Sequence, residues 1–289
     1  MPSPDFSPGL YLVATPIGNL DDITLRAIRV LKECDLIACE DTRQTQKLLN
    51  HYAIEKPTIS YHEHNEASRA AELIEKLATG ARIAIVSDAG TPGISDPGFR
   101  LVSLSIGRGI PVVPIPGPTA FISALIASGL AAEASCFRGF LPAKGGALRH
   151  ALENIRHSSQ TEIFYEAPHR IRETLEDIVA VLGSKRRIVI ARELTKIHEE
   201  FLRGTVSEVL KILMSRAEVK GELVLLIGPA IEAETAVSNL SIRERVAQLI
   251  RDENLDKKSA LKKAAKEHGI SKSAAYREMH SSKKNICRG

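Results

Sequence analysis

Short apolar runs alternate with amphipathic stretches over the first 115 residues of this chain. Leu10–Ala14, Asp35–Cys39, Thr58–Tyr61, Arg82–Val86 and Pro111–Ile115 read as strands, being too short for helices and bounded by Gly, Pro or acidic residues. Between them, apolar positions recur at helical spacing in Asp22–Glu33, Thr42–Asn50, Glu66–Thr79 and Gly98–Gly109. That alternation predicts a mostly parallel sheet with helices on both faces. A linking helix from Gly117 leads into a second α/β series. Its strands are Ser135–Phe140, Glu162–Tyr165, Ile188–Ala191, Glu199–Arg203 and Glu222–Ile227, and its helices lie near Gly146–Arg156, His169–Val181 and Val206–Arg216. Several of these strands have short connections, which allows a mixed sheet.

The pattern changes after the polar stretch Ala230–Asn239. Ile242, Val246, Leu249 and Ile250 repeat at helical spacing. Lys257–His268, Gly269 and Ser271–Met279 then read as a helix, a tight turn and a second helix with a Ser cap. The expected organisation is an N-terminal α/β domain over 1–117, a C-terminal α/β domain over 118–232, and a helix-turn-helix-like tail over 240–289.

Charge sharpens that division. Residues 241–289 carry 13 Lys and Arg against 6 Asp and Glu, while the preceding 240 residues are slightly acidic. A basic tail on an acidic body suits a polyanionic partner, although a helical hairpin also serves as a protein-docking module. The 4% aromatic content and lack of Trp argue against stacking platforms dominating any single-strand binding. Cys34, Cys39, Cys136 and Cys287 show neither disulfide nor zinc spacing. Met1–Asp5 is not a signal sequence. Ala120–Ala132 is too short to cross a bilayer and reads as a core helix of a cytoplasmic protein.

Candidate chemistry gathers at strand ends. Ser87–Gly98 follows a buried strand and combines Asp88 and Asp96 with three glycines and two prolines. Glycine permits close backbone approach, and ligands of open α/β sheets sit at the carboxyl ends of strands. A glycine-rich surface turn is the plainer alternative. Phosphate-cradling loops are absent, which points away from nucleoside triphosphates and NAD. Thr15–Thr24 is a second Pro/Gly loop with Pro16 and Asn19. Glu40-Asp41-Thr42-Arg43 is either a polar ligand cluster or, through Asp41 or Thr42, a helix cap. Tyr61–Asn65 contains His-x-His without an evident third ligand, so no metal is indicated. Pro114–Ala120, Phe164–Arg170, Ala191–Lys196 and Lys220–Glu222 are further polar or Gly/Pro clusters beside apolar strands. No nucleophile elbow is present. A transfer between two positioned substrates fits better than covalent hydrolysis.

Taken together, Thr15–Thr24, Glu40–Arg43, Ser87–Gly98, Pro116–Ala120, Gly139–Pro142, Phe164–Arg170, Ala191–Lys196 and Lys220–Glu222 resemble the ribosomal small-subunit methyltransferase I family. This is a branch of the tetrapyrrole methylase superfamily. The resemblance implies two α/β domains with an S-adenosylmethionine cleft between them, a homodimer, and 2′-O-methylation of a cytidine in the decoding region of 16S rRNA. The superfamily's cofactor segments map onto Asp88, Gly90, Thr91, Ile94, Pro116, Gly117, Thr119, Ala120, Leu141, Tyr165, Ala191 and Gly221. The substrate side maps onto the first loop, with Thr15, Pro16 and Asn19. Candidates for the general base are Glu40, Asp41, Glu166 and Glu193, with Arg43, Arg192 or Lys196 holding phosphate or tuning a carboxylate. A tetrapyrrole methylase shares fold and cofactor but has no need of a basic tail. A non-catalytic small-subunit assembly factor would have no need of a cofactor cleft.

Overall fold

The computed structural model describes residues 6–143, 145–230, 240–253 and 255–280. Met1–Asp5, Cys287 and nearly all of the polar stretch Ala230–Asn239 lie outside them. Five strands, β1 (Gly9–Val13), β2 (Leu36–Cys39), β3 (Thr58–Ser60), β4 (Arg82–Val86) and β5 (Val112–Ile115), form a parallel sheet of order β3-β2-β4-β1-β5. Period-two alternation splits their side chains between two cores. Tyr11, Val13, Ile37 and Cys39 face α1 (Leu25–Glu33) and α2 (Thr42–His51). Leu10, Ala38, Ile83 and Ile85 face α3 (Glu66–Ala78) and α4 (Phe99–Gly107). The helices after β1 and β4 therefore leave to opposite faces although the two strands are neighbours. Such a divergence opens a crevice at the strands' carboxyl ends.

Local chemistry sets the ends of the helices. The first begins later than its periodicity suggests, because Thr24 caps Ala27 N–H at 3.1 Å and Leu20–Asp22 forms a separate 3-10 turn. Helix α5 (Ala120–Ser128) stops short of the expected Ala132, because Gly129 turns left-handed at φ +78°.

The second sheet contains β6 (Ser135–Phe140), β7 (Thr161–Glu166), β8 (Arg187–Arg192), β9 (Glu200–Thr205) and β10 (Leu223–Ile227), in the order β6-β7-β10-β8-β9. It is mixed: β6 and β7 run parallel and the other pairs antiparallel. Its outer face packs on α6 (Gly145–Asn154), α7 (Ile171–Leu182) and α8 (Val206–Met214) around Leu175, Ile190 and Leu225. Its inner face holds Ile163, Val189 and Val224 against Ala124 and Leu125 of α5 and Ile17 of the first loop.

Three further helices, α9 (Ile242–Glu253), α10 (Lys257–Glu267) and α11 (Lys272–His280), share a small core of Ile242, Val246, Leu261, Ala265 and Met279. Gly269, at φ +63°, makes the turn, and Ile270 N–H bonds Ala265 C=O at 3.0 Å. Lys258, Lys262 and Lys266 recur one turn apart on the exposed side of α10. Among the described residues, no helix is long and apolar enough to cross a membrane.

Candidate active site

Three loops interlock at the carboxyl end of the first sheet. Thr15 N–H donates to Gly90 C=O at 2.9 Å, and Gly90 N–H returns the bond at 3.0 Å. The Thr15 hydroxyl donates to Ser87 C=O at 3.1 Å. Gly90 adopts φ +85°, a region that side chains resist. The Thr91 and Thr119 hydroxyls lie 2.7 Å apart, tying the β4 loop to the start of α5. At Gly117 a Cβ would come within 2.8 Å of the Ala14 Cβ, so the glycine is a packing requirement.

Between these loops and the inner face of the second sheet lies a cavity of about 320 Å³. Of the residues singled out from the sequence, Gly90, Thr91, Ile94, Thr119, Ala120, Tyr165, Glu166, Ala191 and Gly221 line it. Asp88, Pro116, Gly117 and Leu141 do not. Asp88 instead accepts Asp41 N–H at 3.0 Å, and Leu141 belongs to the outer core of the second sheet. Asp96, Ser95, Phe140, Leu223 and Val224 line the cavity without having been singled out as site residues.

Asp96 is the least comfortable acid here. Burial pushes its carboxyl up to about 6, Glu40 and Asp88 add to the effect, and a hydrogen bond from Ser87 only partly offsets them. Glu40 is also raised, by burial first and then by Asp88 and Glu63. No Arg or Lys compensates either group among these influences. The cavity therefore presents an apolar wall, hydroxyls, glycine backbone and negative potential, which suits a cationic organic ligand.

The remaining named acids are engaged elsewhere. Asp41 caps α2 by accepting Arg43 N–H at 2.8 Å, and Arg43 holds its carboxyl below the ordinary range. Buried Glu166 accepts Ala167 N–H and the Thr174 hydroxyl, both at 2.8 Å. Glu193, at φ +52°, accepts Lys196 Nζ at 2.8 Å and Glu222 N–H at 2.9 Å; the lysine lowers its pKa. Arg192 bonds Glu200 at 3.0 Å and Lys220 C=O at 3.3 Å. Gly221, at φ +91°, is seated against Glu193 so closely that a Cβ would overlap its side chain.

The two sheets are joined on the side of Ile17 and Leu194. Asn19 N–H donates to the Thr195 hydroxyl at 2.9 Å, and a Cβ on Gly18 would lie 2.5 Å from Lys196 Cγ. Pro16 is buried beside this contact. The His-x-His segment is a local turn: Asn65 Nδ2 lies 3.2 Å from His62 Nε2 and bonds Ser60 C=O at 3.1 Å.

Fold and site together define a two-sheet methylase of the tetrapyrrole type. The family described as Tetrapyrrole (Corrin/Porphyrin) Methylases matches residues 9–210, and the chain belongs to it. Ribosomal RNA small subunit methyltransferase I of Halalkalibacterium halodurans is 49% identical over 94% of this chain and 94% of its own. The protein of that name from Escherichia coli O157:H7 is 47% identical over 95% and 96%. Within the tetrapyrrole methylases, this chain is thus a member of the ribosomal RNA small subunit methyltransferase I family. Solved structures share the fold. Diphthine synthase aligns with a TM-score of 0.60 at 12% identity, covering 76% of this chain and 89% of that one. A Thermus thermophilus uroporphyrin-III C-methyltransferase complexed with S-adenyl homocysteine aligns at 0.54 and 17%, covering 78% and 99%.

Proposed function

We propose that the protein transfers a methyl group from S-adenosylmethionine to the ribose 2′-hydroxyl of a cytidine in the decoding region of 16S rRNA, acting on the small ribosomal subunit. The observation that carries this reading is near-half identity to ribosomal RNA small subunit methyltransferase I over more than nine tenths of both chains.

The cavity suits the cofactor. S-adenosylmethionine carries a sulfonium and an ammonium, and Asp96 is a cavity-lining carboxylate lacking a cationic neighbour that compensates it. Its adenosine needs apolar surface and close backbone, which Ile94, Ala120, Tyr165, Ala191, Leu223 and Gly221 offer. Asp88, Pro116, Gly117 and Leu141 act from behind this wall. When bound, the cofactor supplies an electrophilic methyl group.

The chain's own residues position the acceptor and take its proton. A carboxylate already held by cations or amide donors is a poor proton acceptor. Asp41, Glu166 and Glu193 are so held and act as positioning groups, with Arg43 fixing Asp41. Glu40, raised by burial and without a hydrogen-bond or ion-pair partner among the described residues, suits the role of base. Thr15, Pro16 and Asn19 border the substrate side, and Arg192 and Lys196 place cations beside it.

The same reading divides the chain at 117/118 and assigns 240–289 to rRNA phosphates. It places the protein in the cytoplasm as a homodimer, consistent with Leu25, Phe99, Ile126 and Ile197 each being at least 75% exposed. The test is transfer of labelled methyl to unmodified small subunits, naked rRNA and uroporphyrinogen, followed by nuclease mapping. Label on one subunit cytidine ribose supports the proposal. Label only on the porphyrinoid, or tight subunit binding without label, overturns it.

A further inference from the structure

Phe140 is on the wrong side of its strand for a regular sheet. Alternation along β6 places Phe137 and Gly139 on one face and Arg138 and Phe140 on the other. Phe137 faces inward, opposite Ile163 and stacked on Phe121 with ring centroids 4.3 Å apart. Arg138 faces outward and pairs with Glu162. Phe140 should follow Arg138 outward, away from the cavity.

The pairing slips at this point. Phe137 sits opposite Ile163 and Phe140 opposite Tyr165, three steps on one strand against two on the other. Gly139 absorbs the extra residue at φ +70°. This is a bulge, a device that re-aims a side chain. It turns Phe140 inward, where its ring meets Tyr165 edge-on at 5.5 Å and 61° and lines the cavity. The residue nevertheless stays 59% exposed, so core packing does not account for its placement. Gly139 also abuts the cofactor loop: a Cβ there would lie 3.5 Å from Ser95 Oγ.

We propose that Phe140 is the stacking platform for the target nucleobase as its nucleotide is drawn out of the rRNA. The inference rests on the function proposed above. A ribose in a stacked strand reaches a cavity only when its nucleotide is extruded, and an aromatic ring replaces the stacking that is lost. The enclosed apolar wall of Ala191, Leu223 and Val224 serves the small molecule, whereas the free side of Phe140 meets solvent. Stacking is tolerant of base identity, so Phe140 contributes capture rather than choice of nucleotide.

The test compares wild type, Phe140→Ala and Phe140→Tyr. Methyl transfer to unmodified small subunits is measured together with S-adenosylhomocysteine affinity by calorimetry and mass by sedimentation. Phe140→Ala should lower kcat/KM for subunits by about 5- to 150-fold, and Phe140→Tyr should recover most of it. S-adenosylhomocysteine affinity and mass should match wild type. Full activity in Phe140→Ala overturns the proposal. So does a loss of S-adenosylhomocysteine affinity, which would give the ring to the cofactor, or a change of mass, which would give it to a subunit contact. A wild-type protein that labels no subunit instead removes the reaction on which the proposal rests.

Discussion

Replacing Asp96 with asparagine should stabilise the ligand-free protein while weakening its hold on S-adenosylmethionine. The carboxyl sits at about 6 rather than 3.8, through burial first and then the nearby Glu40 and Asp88. That gap is worth about 3 kcal/mol if all of it opposes folding. The group is only half-buried, and solvent screening reduces the effect to about 1–1.5 kcal/mol. A carboxyl raised on folding binds its proton more tightly in the native chain than in the unfolded one. The stability that Asp96 contributes is therefore highest below about pH 4, falls up to about pH 6, and stays low above. Asparagine cannot ionise, so at about pH 8 the variant should melt roughly 2–5 °C higher than wild type, with no difference near pH 4. Thermal unfolding at the two pH values reads this directly. Calorimetry at about pH 8 should show S-adenosylmethionine binding at least about tenfold weaker, since the cation loses its counter-charge. An equal or lower melting temperature at about pH 8 would show that Asp96 is already compensated and refute the reasoning.

Two further outcomes follow from residues described above. Gly221→Ala places a Cβ into Glu193 at a left-handed position, so stability should fall by roughly 1–3 kcal/mol and S-adenosylhomocysteine affinity by about tenfold or more; denaturant melts and calorimetry check both, and unchanged values would mean the loop is not seated as described. Converting Lys258, Lys262 and Lys266 together to glutamine should reduce the slope of log affinity for small subunits against log salt by about 2, with S-adenosylhomocysteine binding unaffected. An unchanged slope would point to a protein partner for the tail.

The strand ends were legible because short apolar runs stopped at Gly, Pro and acids, and those stops are where the cavity forms. Asp96 stood out in the sequence only as the second acid of the Ser87–Gly98 loop, with nothing to rank it above Asp88. Only the fold brings Glu40 and Asp88 within its influence. Phe140 escaped because alternation points it outward, and a one-residue slip against β7 leaves no mark in the sequence beyond a glycine that has other uses. Conversely, Glu166 and Glu193 look like chemistry in one dimension. In three, Thr174 and Lys196 occupy them. The sequence pattern shows which groups are polar but not which of them have already found partners.

The joint between Asn19 and Thr195, with Gly18 pressed on Lys196, has a kinetic consequence. It draws the two sheets together beside Ile17 and Leu194, while the exposed lining of the cavity lies at Ala89, Ser95, Phe140 and Glu222. A ribosomal subunit seated there would stopper the vessel. On the proposed reaction, S-adenosylmethionine must then enter before the subunit docks, and the spent nucleoside leaves only after it departs. Turnover would be compulsorily ordered, with S-adenosylhomocysteine competing against the methyl donor but not against RNA.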